Sequence, residues 1–130
     1  MFDGIEVLAL ARTLSVHSGA RQAVVAENVA NADTPGYRAR DLPDFAETWR
    51  AAGAAADLHR TRPGHLGSAD AAGSGPQPVF QPGQASPNGN TVSLETELVR
   101  AADIRSKHNL ALTVYSSSLD IIRASIGRAR

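Results

Sequence analysis

The sequence predicts a mainly α-helical protein: two long terminal helices paired antiparallel as a coiled-coil-like hairpin, with an irregular, loop-rich segment between them. Three observations carry this. Residues 3 to 31 lack proline and keep apolar side chains at a spacing of three and four. Residues 94 to 126 carry a seven-residue apolar ladder for more than four repeats. Residues 63 to 90 hold 6 of the 11 glycines and 5 of the 7 prolines of a 130-residue chain. The expected organisation is a first helix within 1–34, a middle segment at 35–92 and a second helix within 93–130.

In the first helix Val7, Leu10, Leu14 and Val24 mark the apolar face. The chain is expected to leave the helix near Asn31 or Ala32. Pro35 disfavours helical geometry at Thr34, and Thr34-Pro35-Gly36-Tyr37 places proline and glycine where a type II turn needs them. The amides of Asn28 and Asn31 can turn toward carbonyls left unpaired where the helix stops, or toward a neighbouring chain.

In the middle segment Leu42, Phe45 and Trp49 recur at three and four residues ahead of an alanine-rich run, which predicts a short helix over 42–56 resting on an apolar surface. Two of the six aromatic side chains are Phe45 and Trp49, and they are the expected anchors. Residues 63–90 lack apolar periodicity and read as a flexible linker.

The second helix opens at Ser93, whose hydroxyl can cap the first turn, with Glu95 and Glu97 where the helix dipole favours anions. Its ladder is Leu94, Leu98, Ala101, Leu112, Tyr115, Leu119, Ile122 and Ile126, interrupted by Arg105 and His108. His17 and Arg21 interrupt the first helix similarly. These four form either a polar layer that sets register or long side chains that reach past the interface to solvent. The charges argue for antiparallel pairing, because Asp3 and Glu6 then lie beside Arg123, Arg128 and Arg130, whereas parallel pairing sets them against Glu95 and Glu97.

A single hairpin buries each stripe on one side only. That burial is too small to offset ordering about 60 helical residues at roughly 1–2 kcal/mol each, so the stripes point to assembly with copies or relatives of the chain.

Composition narrows the function classes. Thirteen Lys and Arg balance thirteen Asp and Glu, so no overall field favours nucleic acid. No cysteine is present for a disulfide or thiolate site. No apolar run reaches the roughly 20 residues of a membrane span, and Ile5 to Ala11 follows acidic rather than basic residues, so neither membrane insertion nor a cleavable signal is expected. His59 and His65 are the closest histidine pair, but Pro63-Gly64 between them prevents two ligands on one helix face. Catalytic, cofactor and metal sites are all expected to be absent. Asp41, Asp44 and Glu47 read as a solvated face.

The string Asn28-Val29-Ala30-Asn31-Ala32-Asp33-Thr34-Pro35-Gly36-Tyr37-Arg38 resembles the N-terminal signature of flagellar basal-body rod and hook proteins. Arg38 to Leu42, Thr61 with His65-Leu66, and Ser86 to Glu95 continue the resemblance, which leaves only 67–85 unmatched. The lack of a large inserted domain is most similar to proximal rod members of the family. The resemblance implies a non-enzymatic structural subunit whose terminal helices form a core domain and whose middle contacts neighbours. It implies as partners other rod proteins, copies of itself, the MS ring and its rod adaptor, and the flagellar type III export apparatus during secretion. The implied location is the rod crossing the periplasm. A small helical adaptor, or a binding protein associated with the export apparatus, that does not polymerise is the competing reading.

Overall fold

The computed structural model describes residues 2–56 and 76–127, with side chains over 6–51 and 76–127. Helix α1 spans Phe2–Ala30, and helix α2 spans Phe45–Ala56. Helix α3 spans Leu94–Gly127. Strands β1, Arg40–Asp41, and β2, Val79–Phe80, pair antiparallel, with Arg40 opposite Phe80 and Asp41 opposite Val79. The two long helices run about 44 and 51 Å at 1.5 Å per residue and pack along one another. Their direction is antiparallel, since Asn28 meets Glu97 at one end and Ser15 meets His108 three to four turns further along.

Helix α1 ends at Ala30 because Pro35 and Gly36 turn the chain. The Tyr37 N–H donates to the Thr34 carbonyl at 3.2 Å, and Gly36 has φ of 71°, which closes a type II turn of the kind the sequence requires. Helix α2 starts at Phe45, three residues later than its apolar spacing suggests. Leu42 precedes Pro43 and is therefore held extended, and it is buried against the hairpin. The Asp44 carbonyl accepts the first N–H groups of α2, from Glu47 and Thr48. Ser93 caps α3 weakly, its hydroxyl 3.5 Å from the Thr96 N–H.

The apolar core between the long helices is thin. Ala11, Val24 and Val25 of α1 face Ile104 and Ala111 of α3, while Ala39 and Leu42 bring the middle segment onto the pair. Three of the four largest fully buried side chains are polar: Glu97, Asn28 and Asn90. The closed end of the hairpin is held by hydrogen bonds as much as by apolar burial.

Two expectations need correction. The seven-residue ladder of α3 only partly coincides with the face turned to α1, with Ala101, Tyr115, Leu119 and Ile122 half-buried. Leu94, Leu98, Leu112 and Ile126 stand at least about half exposed, and the buried row is Glu97, Ile104 and Ala111, flanked by His108 and Tyr115. The small Ala11 and Ala111 are buried while the larger leucines are not, and a buried polar contact at Glu97 fixes the rotation, so side-chain size did not mark the interface. The second correction concerns 76–90, within the stretch expected to be a flexible linker. It contains β2 and a turn that buries Asn90; residues 63–75 of that stretch lie outside the described residues.

Candidate functional site

The site is built where α1 breaks. Asn28 is wholly buried and uses all its amide valences. Its Nδ2 donates to the Arg40 carbonyl at 2.7 Å and to Glu97 Oε2 at 3.1 Å, while its Oδ1 accepts from the Arg40 N–H at 3.1 Å and the Tyr37 hydroxyl at 3.3 Å. One side chain thus pairs with both backbone groups of a β1 residue, on the edge away from β2, and with a carboxylate of α3. No other residue type of this size presents two donors and an acceptor in that plane.

A second asparagine closes the other side. Asn90 Nδ2 donates to the carbonyls of Asn31, Ala32 and Thr34 at 2.9, 2.7 and 2.9 Å, and Oδ1 accepts from the Val92 N–H at 2.7 Å. Carbonyls at and just beyond the end of α1 are thus tied together by a residue 56 to 59 positions away. The turn that carries it, Ser86-Pro87-Asn88-Gly89, docks on the Thr34–Tyr37 turn, with the Gly36 N–H donating to the Asn88 carbonyl at 3.0 Å. Gly89 has φ of 79°, and a side chain there would begin 3.5 Å from the Gly36 Cα.

Below this knot the strap of residues 39–45 is pinned along α1. Arg21 Nε and Nη2 donate to the two carboxylate oxygens of Asp41, both at 2.7 Å, and Asp41 also accepts from the Leu42 N–H at 2.8 Å. Burial alone would push the Asp41 carboxyl up. The Arg21 hydrogen bonds and charge, with the Leu42 N–H, outweigh it and hold the group below the ordinary carboxylate range. Arg21 is correspondingly raised above its ordinary value, chiefly by the Asp41 hydrogen bond. His17 Nε2 donates to the Pro43 carbonyl at 3.0 Å, and the Phe45 ring meets the imidazole edge-on at 5.6 Å between centroids. Arg40 pairs with Glu27 on the outside.

The remaining candidate residues divide into two groups. Of the motif, Asn28, Asn31, Thr34, Gly36 and Tyr37 take part in this knot, whereas Ala30 and Pro35 sit at its surface. Among the packing candidates Val24 is buried, while Leu14, Phe45, Tyr115, Leu119 and Ile122 are half-buried. Val7, Leu10, Trp49, Leu98, Leu112 and Ile126 are exposed in the single chain. Trp49 lies 6.0 Å from Phe45, and Phe45 in turn meets His17 of α1.

His17, Arg21, Arg105 and His108 form neither a shared layer nor a set of solvated tips. His17 and Arg21 serve the strap, the acid for Arg21 coming from Asp41. His108 Nδ1 approaches the Ser15 carbonyl at 3.3 Å, and Arg105 is exposed. Of the charges expected to choose helix direction, Arg123 turns to Asp120 of its own helix at 3.4 Å, while the Asp3 side chain and residues Arg128 and Arg130 lie outside the described residues. The Asn28–Glu97 contact at the closed end goes with the antiparallel direction. Sequence reasoning set Asp41 on a solvated face, whereas it is buried against Arg21, gave Glu97 only a helix-dipole role although it is buried, and singled out no role for Asn90. Only Asn90 left a local signal, a turn residue following Pro87-Asn88-Gly89.

Among the described residues no three His, Asp or Glu side chains converge to hold a metal, and no helix is long and apolar enough to cross a membrane. His59 and His65 lie outside the described residues. The arrangement joins three chain segments.

The family model for flagella basal body rod proteins matches residues 19–38, the last three turns of α1 and the turn beyond it. The flagellar basal body rod protein FlgB of Yersinia enterocolitica is 35% identical over 107 residues, covering 76% of this chain and 77% of the relative. The chain belongs to the FlgB family of flagellar basal body rod proteins. FlgB of Salmonella typhimurium is 36% identical over 109 residues, with 76% and 77% covered. FlgB of Agrobacterium fabrum is 29% identical over 116 residues, with 87% of each chain covered. In this FlgB-family chain the family-matched stretch holds Arg21, Asn28 and Tyr37, so the signature that identifies it is also the part that fastens the middle segment to the helices.

Proposed function

We propose that this FlgB-family chain is a structural subunit of the bacterial flagellar basal-body rod, at its proximal end, which polymerises with other rod proteins and with copies of itself into the shaft that carries motor torque for swimming. The observation that carries this reading is the Asn28 knot within residues 19–38. A torque-bearing subunit needs its helices and its irregular middle to move as one piece, and Asn28 bonds α1 to β1 and α3 at once. The apolar residues left exposed on both long helices support assembly, since Leu98, Val99 and Ile121 stand about two-thirds or more open to solvent in the single chain.

On this reading the protein performs no chemistry, takes no cofactor, and meets the MS ring and its rod adaptor as well as other rod subunits. The flagellar type III export apparatus would deliver it to a rod that crosses the periplasm. The test is complementation. A flagellated bacterium deleted for its own FlgB-family gene should regain swimming, and complete basal bodies in electron micrographs, when it expresses this chain together with the rod partners from the same genome. Intact export of the chain without any rod assembly would overturn the reading.

A further inference from the structure

A surface groove of about 340 Å³ opens on the seam of the long helices, lined by Ser18, Gly19 and Gln22 of α1 and Ile104, Arg105 and His108 of α3. Its floor is open because Gly19 has no atom within 4 Å of where a side chain would begin. Arg105 at the rim is exposed and makes no ion pair with any described residue, unlike the nearby Arg100 and Lys107, which pair with Glu97 and Asp103. The groove therefore presents an apolar slot beside an exposed cation with no ion-pair partner among the described residues.

The complementary surface lies on the first two turns of the same helix. Leu94, Leu98 and Val99 are 50%, 65% and 70% exposed. They surround Glu95, an exposed acid with no ion-pair partner among the described residues. Patch and groove are different surfaces about 10 residues apart along α3, so one copy can offer its patch while its own groove receives the next.

We infer that the groove at Gly19 and Arg105 receives the Leu94–Val99 patch of a second copy of this chain, with Glu95 facing Arg105 and Leu98 entering the slot. This rests on the rod-subunit reading only for its biological use; the surface itself follows from shape, exposure and charge. Burying Leu98 removes an apolar side chain from water, and the ion pair orients the two copies.

The chain has no cysteine, which makes a clean test possible. Two full-length single variants, Gly19→Cys and Leu98→Cys, are mixed and oxidised gently, and cross-linked heterodimers are quantified by mass. Formation of the 19–98 heterodimer above either homodimer is expected. Adding Arg105→Glu to the Gly19→Cys chain should lower its yield by about tenfold, because two acids then face one another. Adding Glu95→Arg to the Leu98→Cys partner as well should restore it. Circular dichroism on each variant checks that the helices persist.

A heterodimer yield no greater than chance, or one indifferent to Arg105→Glu, overturns the inference. So does restoration by Glu6→Arg in place of Glu95→Arg, which would assign the groove to the start of α1. Complementation by the same unmodified chain tests the rod reading separately. Rescue without the 19–98 cross-link sinks this surface alone, and the cross-link without rescue sinks the rod reading alone.

Discussion

Asn28 and Glu97, 69 positions apart in sequence, meet at 3.1 Å in a site closed to solvent, where the amide donates to the carboxylate. The other Glu97 oxygen accepts from Arg100 at 2.8 Å, so the buried charge is both paired and hydrogen-bonded. Sliding either helix by one turn would move the partners about 5.4 Å apart and strand a carboxylate in the interior. The register of the hairpin is thereby tied to the residue that also holds β1.

Replacing Asn28 should be costly. Asn28→Ala leaves the Arg40 backbone groups unpaired and is expected to lower stability by about 2–4 kcal/mol. Asn28→Asp should be worse at neutral pH, because it sets two carboxylates together. Adding Glu97→Gln to Asn28→Asp removes that repulsion and should recover part of the loss. Urea denaturation of the four chains gives the coupling as a double-mutant cycle; strictly additive losses would mean the two residues do not communicate.

The strap should release in acid. Asp41 has its pKa lowered in the fold. Its contribution is therefore complete above the unfolded carboxylate value, about 3.9, and is lost as pH falls through the lower folded value. Trp49 is the only tryptophan and sits on the helix that the strap leads into, so its fluorescence reports the change. A transition below about pH 4 is expected in the parent chain. In Asp41→Asn this component should vanish, with stability near neutrality reduced by about 1–3 kcal/mol, less than for a fully enclosed pair because Arg21 remains partly open to water.

Three glycines should respond differently to alanine. Gly19 lies inside α1 with free space around it, so Gly19→Ala should raise the stability of the isolated chain by up to about 1 kcal/mol. Gly36 and Gly89 have φ of 71° and 79°. Alanine at either is expected to cost about 1–2 kcal/mol, and thermal melts of the three variants should separate them by sign.

Phe45 and Trp49 should not be equivalent. Phe45 packs its ring against His17, and Phe45→Ala is expected to loosen the strap by about 1–3 kcal/mol. Trp49 is 43% exposed, so Trp49→Ala should change the stability of the single chain by less than about 1 kcal/mol. Hydrogen exchange at the backbone of residues 39–45 distinguishes them: faster exchange in the first variant and near-parent rates in the second.

Much of the architecture was legible in the chain because it depends on local rules. The first helix stops where Pro35 forbids continuation, the turn needs Gly36, and apolar residues at a helical spacing require long helices at both ends. The family signature was legible too, since its residues are contiguous.

The face of α3 turned to α1 was only partly legible. Leu98 and Glu97 are sequence neighbours, and size alone favours the leucine, yet the carboxylate is the one buried because Asn28 and Arg100 satisfy it there. The same holds for Asn90 and for the Arg21–Asp41 pair. A polar residue is interior only when its partners arrive, and these partners come from segments separated by 20 to 69 positions. Sequence by itself determined the helices, the turn and the family, all set within a few residues of backbone. Tertiary structure decided which polar groups close the hairpin and which leucines remain outside, because desolvation is settled by neighbours in space.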